Sequence, residues 1–280
     1  MKLSPFLFSL FAPAALAFST CLNEDYDHDP VNITNSQAVT AAKQLHTRET
    51  AQIYAYVHVL VSEAPKVDYG PGINNQFAYL NRQFNKWGYN INLRKVTFVI
   101  HKEWASEINV DKENKMRYLH RGDYQTLNIY MVEKAAGGVC SLPQNDHIPV
   151  EQQKLDFDGC FVSLAVGTSS TSATLTHEIG HWLGLLHVFQ GGCEGSGDVC
   201  NDTAPQNGPA SAHPATPGNL NTCPAKETCG AGKGLQNVKN FMDYSDCAQE
   251  FTACQGGRMH IAWYSLRLNR QLAAGVKVTW

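Results

Sequence analysis

The chain has 280 residues and a formal net charge of −3. That length suits one large domain with a real hydrophobic core, or two subdomains. The near balance of charge excludes the broad basic field that draws nucleic acid or an anionic membrane, so neither is expected as a partner.

In chain order, MKLSPFLFSLFAPAALA (1–17) has the form of a secretory signal peptide. Lys2 supplies the positive start, Leu3 to Leu16 is mostly apolar, and Ala15-Leu16-Ala17 is a small-x-small cleavage site. A spanning helix needs about 20 apolar residues, and this stretch is shorter and interrupted by Pro5 and Pro13. Residues 18–50 are polar, with an acidic NEDYDHDP run, and read as a leader or propeptide with Arg48 as a candidate processing site. Ordered structure is expected from residue 51. Ile53, Ala55, Val57, Val59 and Val61 alternate with Tyr54, Tyr56 and His58, as in a half-buried strand over 51–62. Ile73, Phe77, Leu80, Phe84 and Trp87 recur at helical spacing, and Gly88 closes that helix. Residues 91–101, 126–132 and 160–166 read as further strands. The first half is therefore a sheet with a backing helix. A second long helix follows in THEIGHWLGLLHVF (176–189). Residues 190–238 are rich in Gly, Pro, Asn, Thr and Cys, and a last helix is expected over 257–273, burying Met259, Trp263, Leu266 and Leu272.

Nine cysteines stand at 21, 140, 160, 193, 200, 223, 229, 247 and 254. Behind a secretory signal they read as disulfides, and no C-x-x-C pair favours a structural zinc site. An odd count leaves one thiol over, and Cys21 is the outlier. The sequons Asn32-Ile33-Thr34 and Asn201-Asp202-Thr203 make Asn32 and Asn201 candidate glycosylation sites after secretion.

The chemistry concentrates in HEIGHWLGLLH (177–187). On a helix, residues four apart share a face, so His177 and His181 can bind one Zn²⁺ together. Glu178 lies beside the pair, within reach of a zinc-bound water. Gly184 can adopt positive φ and stop the helix, so that His187 supplies a third ligand from beyond it. Three neutral nitrogens leave a fourth zinc position open, the arrangement of a catalytic site. Glu178 then acts as the proton shuttle. A plain core helix accounts for Ile179, Trp182, Leu183, Leu185 and Leu186, but not for the histidines and the glutamate.

This stretch matches the extended zinc signature H-E-x-x-H-x-x-G-x-x-H, and the chain resembles the metzincin metallopeptidases. NFMDYSDC (240–247) looks like their Met-turn, with Met242 in the key position. More narrowly, the chain resembles the pappalysin-like branch, peptidase M43, and within it the secreted extracellular metalloproteases of fungi. IYAYVHVLVS, LTHEIGHWLGLLHVFQGGCEGSGD, the Cys223-Pro224 segment and NFMDYSDC carry the likeness, in order, across most of 52–270.

The resemblance implies an α+β, metzincin-like fold. An upper subdomain (51–187) would hold a twisted mixed sheet, a backing helix and the zinc helix. An irregular lower subdomain (188–280) would hold the Met-turn and a C-terminal helix. It implies that Tyr244 hydrogen-bonds the oxyanion of the transition state, a role that suits a phenol. It suggests the disulfides Cys193–Cys229 and Cys223–Cys247, leaving Cys140–Cys160 and Cys200–Cys254 by elimination. Family members bind Ca²⁺ in the loop after the zinc motif, where Asp198, Asp202 and Thr203 offer oxygen ligands; a solvated acidic loop reads equally well there. Two departures fall where the substrate side chain is received: the short run from Met242 to Cys247, and the enlarged Gln206–Asn221 region. Cleavage preference is therefore not carried over, although Asp246 would favour a basic residue after the scissile bond. Zymogen metzincins often hold a propeptide thiolate on zinc, and Cys21 is placed to do so, but Leu22 stands where a glycine is expected beside it.

The expectation is a secreted, monomeric zinc endopeptidase acting on proteins or peptides. The alternative is a catalytically inactive secreted binding domain on the same fold, which would have no need of Glu178.

Overall fold

The computed structural model describes residues 29, 31–45, 49–145, 149–195, 197–208 and 223–280. The signal segment, Cys21, Arg48 and most of the enlarged Gln206–Asn221 region lie outside the described residues.

Five strands form one mixed sheet: β1 (Ala51–Val61), β2 (Tyr89–Ile100), β3 (Leu127–Val132), β4 (Gly138–Cys140) and β5 (Cys160–Ser163), in the order β2-β1-β3-β5-β4. All neighbours pair in parallel except β4, which runs antiparallel to β5 and ends the sheet. Seven α-helices accompany it among the described residues: α1 (Asn35–Ala42), α2 (Gly70–Phe84), α3 (Lys112–Leu119), α4 (Gln152–Asp156), α5 (Leu164–Gly167), α6 (Thr174–Trp182) and α7 (Ala253–Ala262).

The backing helix α2 opens with Pro71 in its first turn and buries Ile73, Phe77, Leu80 and Phe84. That face packs with Ile53, Ala55, Val57, Val59 and Val61 of β1 and with Leu175, Ile179 and Trp182 of α6 in the main core. The opposite face of the sheet is also covered. Leu60, Tyr130, Val132 and Phe161 pack with Met116 of α3. His58, expected on a half-exposed face, is therefore buried.

Several elements differ from expectation. The strand at 160 stops at Ser163, whose hydroxyl accepts from the Val166 amide and caps the single turn α5. Strand β4 is too short to show alternation, and α3, KENKMRYL, is too charged to show an apolar stripe. The last helix starts earlier and ends sooner than 257–273. A capping box between Thr252 and Gln255 begins it, and a π-helical turn, Trp263–Arg267, ends it. Asn269 then takes a positive φ of 52° and the chain leaves the helix. Leu272 does not share its face; it bridges to Val150 and packs beside Tyr124 and Leu155.

Within the span read as a leader, α1 is a capped helix, with Thr34 and Gln37 forming a capping box. Val31, Ile33 and Ala38 are buried beside Leu186, Ala262 and Leu266. Between Leu183 and Thr252 the described residues contain no α-helix or strand. Cys193–Cys229, Cys223–Cys247 and Cys200–Cys254 staple this region, while Cys140–Cys160 joins β4 to β5.

Candidate metal centre

Every residue of α6 from Leu175 to Trp182 is buried, so the helix is held on all sides rather than laid on a surface. It ends where the Gly184 amide turns back to the His181 carbonyl (2.8 Å) and Gly184 takes a φ of 90°. That left-handed step suits a residue without Cβ. The next turn returns His187 to the helix. The ring nitrogens converge: His181 Nε2 lies 3.1 Å from His177 Nε2 and 3.1 Å from His187 Nε2. All three side chains are buried.

Their other nitrogens are fixed by backbone. His177 Nδ1–H donates to the Phe241 carbonyl at 2.6 Å, and His181 Nδ1–H donates to the Leu185 carbonyl at 2.8 Å. This tautomer turns each Nε2 lone pair inward, the outer-sphere arrangement typical of metal-ligating histidines. Burial pushes His177 down to about 4 and holds His181 and His187 well below the usual imidazole range, with neighbouring histidines adding to the effect on the latter two. The neutral, lone-pair form is therefore the resting form near pH 7.

The surroundings come from two elements. From the sheet, Gly138 of β4 faces Glu178, so closely that a Cβ there would lie 2.6 Å from the Glu178 side chain. From the stapled region, Met242 is fully buried, and its sulfur would lie 2.6 Å from a Cβ placed on Gly180. The Asn240 side chain accepts from the Met242 amide at 2.8 Å and fixes this turn. The Met242 carbonyl accepts from the Val188 amide, tying the turn to the segment that carries His187. Two residues on, Tyr244 OH lies 3.1 Å from His187 Nε2 and packs edge-on to Phe189.

Asp198, Asp202 and Thr203 lie near one another but use their oxygens internally. The Thr203 hydroxyl donates to Asp198 Oδ1 at 2.6 Å, and Gln255 donates to Asp198 Oδ2 at 3.1 Å. Asp202 accepts from the Cys254 amide at 2.9 Å, within the first turn of α7. Asn32, Asn201 and Asp246 are exposed.

Two arginines that sequence reading passed over hold the end of α6. Arg267, fully buried, donates to the Trp182 carbonyl at 2.6 Å and forms a two-pronged pair with Asp158, which also accepts from Trp182 Nε1. Arg258 donates from Nε to the Gly184 carbonyl at 2.7 Å. Their only trace in the sequence is placement, one residue before Met259 and one after Leu266, beside positions expected to be buried.

The peptidase M43 family model, described as pregnancy-associated plasma protein-A, matches residues 106–263. The chain is 33% identical to extracellular metalloprotease 1 of Coccidioides posadasii over 78% of its own length and 79% of that protein. It is 35% identical to an extracellular metalloprotease of Podospora anserina over 80% of its length and 77% of that protein. The chain belongs to the peptidase M43 family. As an M43 peptidase it is a metal-dependent hydrolase of peptide bonds, acting on proteins or peptides. Its fold is that of mirolysin. A promirolysin mutant of Tannerella forsythia superposes with a TM-score of 0.58 at 20% identity, covering 81% of this chain and 88% of that one. Mature mirolysin of the same organism, in complex with a cleaved peptide, gives 0.57 at 21% identity, covering 77% and 92%. Among the described residues no helix is long and apolar enough to cross a membrane.

Proposed function

We propose that this M43 peptidase is a secreted zinc endopeptidase in which His177, His181 and His187 hold the ion, Glu178 moves the proton and Tyr244 stabilises the oxyanion. One observation carries the reading: three buried, neutral imidazoles converge, with His181 Nε2 3.1 Å from the Nε2 of both His177 and His187, and two of the rings locked by backbone acceptors on Nδ1. The fit to zinc follows from size. Nitrogens at about 2.0–2.1 Å from one ion, at angles near tetrahedral, stand slightly over 3 Å from each other.

A zinc ion held by His177, His181 and His187 would supply Lewis acidity there, making a water easier to deprotonate and a carbonyl easier to attack. Glu178, buried against Gly138, takes the proton of the attacking water and passes it to the leaving amine. The Tyr244 phenol, 3.1 Å from His187 Nε2, donates to the substrate carbonyl oxygen as it gains charge. Gly138 of the edge strand β4 faces Glu178, and an extended peptide pairing with that strand would bring its backbone towards the centre. The cleaved peptide bound by mirolysin supports this choice of substrate.

Secretion is supported by the signal-like residues 1–17, by four disulfides and by relatives named extracellular. Calcium is not part of the proposal, because an ion at Asp198, Asp202 and Thr203 would compete with the protein donors already there. Glu178→Gln tests the mechanism. Cleavage of a peptide mixture should fall by at least about 100-fold while zinc binding persists. Undiminished cleavage would refute the role of Glu178.

A further inference from the structure

The structure assigns residues 29–45 to the working enzyme: Asp29 acts through Arg258 as a positioning residue for the turn that carries His187. The inference rests on the reading of His177, His181 and His187 as metal ligands.

The chain of contact is continuous. The Asp29 carboxylate pairs with the Arg258 guanidinium and also accepts from the amides of Val31 and Ile33, both at 3.1 Å. Arg258, 1% exposed, also donates to two carbonyls, Ile33 at 2.8 Å and Gly184 at 2.7 Å. The guanidinium thus joins the N-terminal segment to the residue at which α6 stops. The Gly184 Cα faces the same segment, since a Cβ there would meet Ala262 at 2.8 Å and Val31 at 3.4 Å. Three residues later stands His187.

Alpha-1 is fitted to α7 in a way that a disposable leader would not require. A Cβ on Gly257 would lie 1.9 Å from the Ala38 carbonyl, so the two helices cross backbone to backbone. Asn35 accepts from the Asn201 amide at 2.9 Å, linking α1 to the stapled region as well. Loss of residues 29–45 would strand Arg258, a buried cation, without its counter-charge. Free to turn elsewhere, it would release the Gly184 carbonyl. Removal of the leader therefore ends before Asp29, and Arg48 is not the point at which the mature enzyme begins.

The test uses the secreted protein, stripped of metal and titrated with zinc against a competing chelator. Asp29→Asn should lower zinc affinity about tenfold, the lower end of losses seen when outer-sphere support is removed. It should also speed amide exchange across 184–188 while leaving β1 unchanged. Ala38→Ser serves as control, because it loosens α1 without touching the Asp29–Arg258 pair. A protein that is merely less stable, but still folded, keeps the affinity of its native state. Wild-type affinity and exchange in Asp29→Asn would overturn the assignment, as would an equal loss in the control. If His187→Ala binds zinc as well as wild type, the ligand reading fails instead, and amide exchange alone decides the role of Asp29. N-terminal sequencing of the active secreted enzyme should find a start at or before Asp29; a start near residue 49 would also overturn it.

Discussion

At the scale of single residues, the chemistry divides between groups held in place and groups left to act. His177 and His181 are tied through Nδ1, and their tautomer is fixed before any ligand arrives. Tyr244 is a partner of a different kind. Its phenol sits 3.1 Å from His187 Nε2, where it can donate once charge develops on a substrate oxygen. Tyr244→Phe should therefore lower kcat by about 100-fold with KM little changed, as expected when one oxyanion donor is lost. An unchanged kcat would remove Tyr244 from the mechanism. Two other histidines matter for stability. Burial lowers His58 and His120 from 6.5 to about 4. Unfolded chains take up those protons below about pH 6.5, whereas the folded chain resists until near pH 4. Their contribution is full above pH 6.5 and is lost as the pH falls through that window, roughly 3 kcal/mol for each. Asp198, pushed up to about 6 by burial, works in the opposite sense and offsets part of this. Urea midpoints of the metal-free protein should fall between about pH 7 and 4.5, and fall less in His58→Gln. Equal falls in both would show that His58 does not supply the slope.

At the scale of elements, the centre depends on a close approach of strand to helix. Beta-4 brings Gly138 against Glu178, and its ladder to β5 holds it there. Gly138→Ala would place a methyl where the glutamate side chain now lies. The glutamate is flexible and would move aside, so the fold should survive with a small change in stability. Activity should drop at least about tenfold while zinc affinity stays the same, because only Glu178, the proposed proton carrier, is displaced. Wild-type cleavage by Gly138→Ala would separate β4 from the active arrangement. This contact was illegible in the sequence, since GVC is too short to carry a period and its partner lies far along the chain. Longer signals survived better. The alternation from Ile53 to Val61 and the stripe from Ile73 to Phe84 each gave an element within a few residues. The apolar run after Cys160 misled for a local reason: Ser163 caps a helical turn that begins at Leu164, and side-chain capping overrides strand propensity. Alpha-1 was hidden by composition, because its polar face dominates and its buried side is one small residue, Ala38.

At the scale of the molecule, the sheet half holds most of the regular structure, and three of the four disulfides fall beyond it. The sheet and its helices are joined by hydrogen-bond ladders and a continuous apolar core. The stretch from Leu183 to Thr252 lacks such ladders among the described residues and depends on three disulfides. Cys200–Cys254 spans 54 residues and fastens that stretch to α7. Closing a loop of that length is worth about 4 kcal/mol in the chain-entropy account. The double variant Cys200→Ser, Cys254→Ser should be less stable in urea by about that amount, and a loss under about 1 kcal/mol would show that the contacts around α7 suffice without it. Spacing announced the candidate zinc motif because three histidines and a glutamate fall within one short stretch, His177 to His187. It was silent on Arg258 and Arg267, whose partners Asp29, Gly184, Trp182 and Asp158 are brought close only by the folded chain.

The stapling has a consequence for how such enzymes diversify. Cys193–Cys229 and Cys200–Cys254 tie down the chain before residues 209–222, Cys223–Cys247 ties it down after them, and Met242 and Tyr244 are fixed by their own contacts with Gly180 and His187. An insertion between two such anchors need not disturb a ladder or a core. Doubling a loop's length adds only about 0.6 kcal/mol of closure entropy. Lineages sharing this framework are thus free to lengthen or recast that segment at little thermodynamic risk, with the histidines, Glu178 and the Met242 turn left where they are.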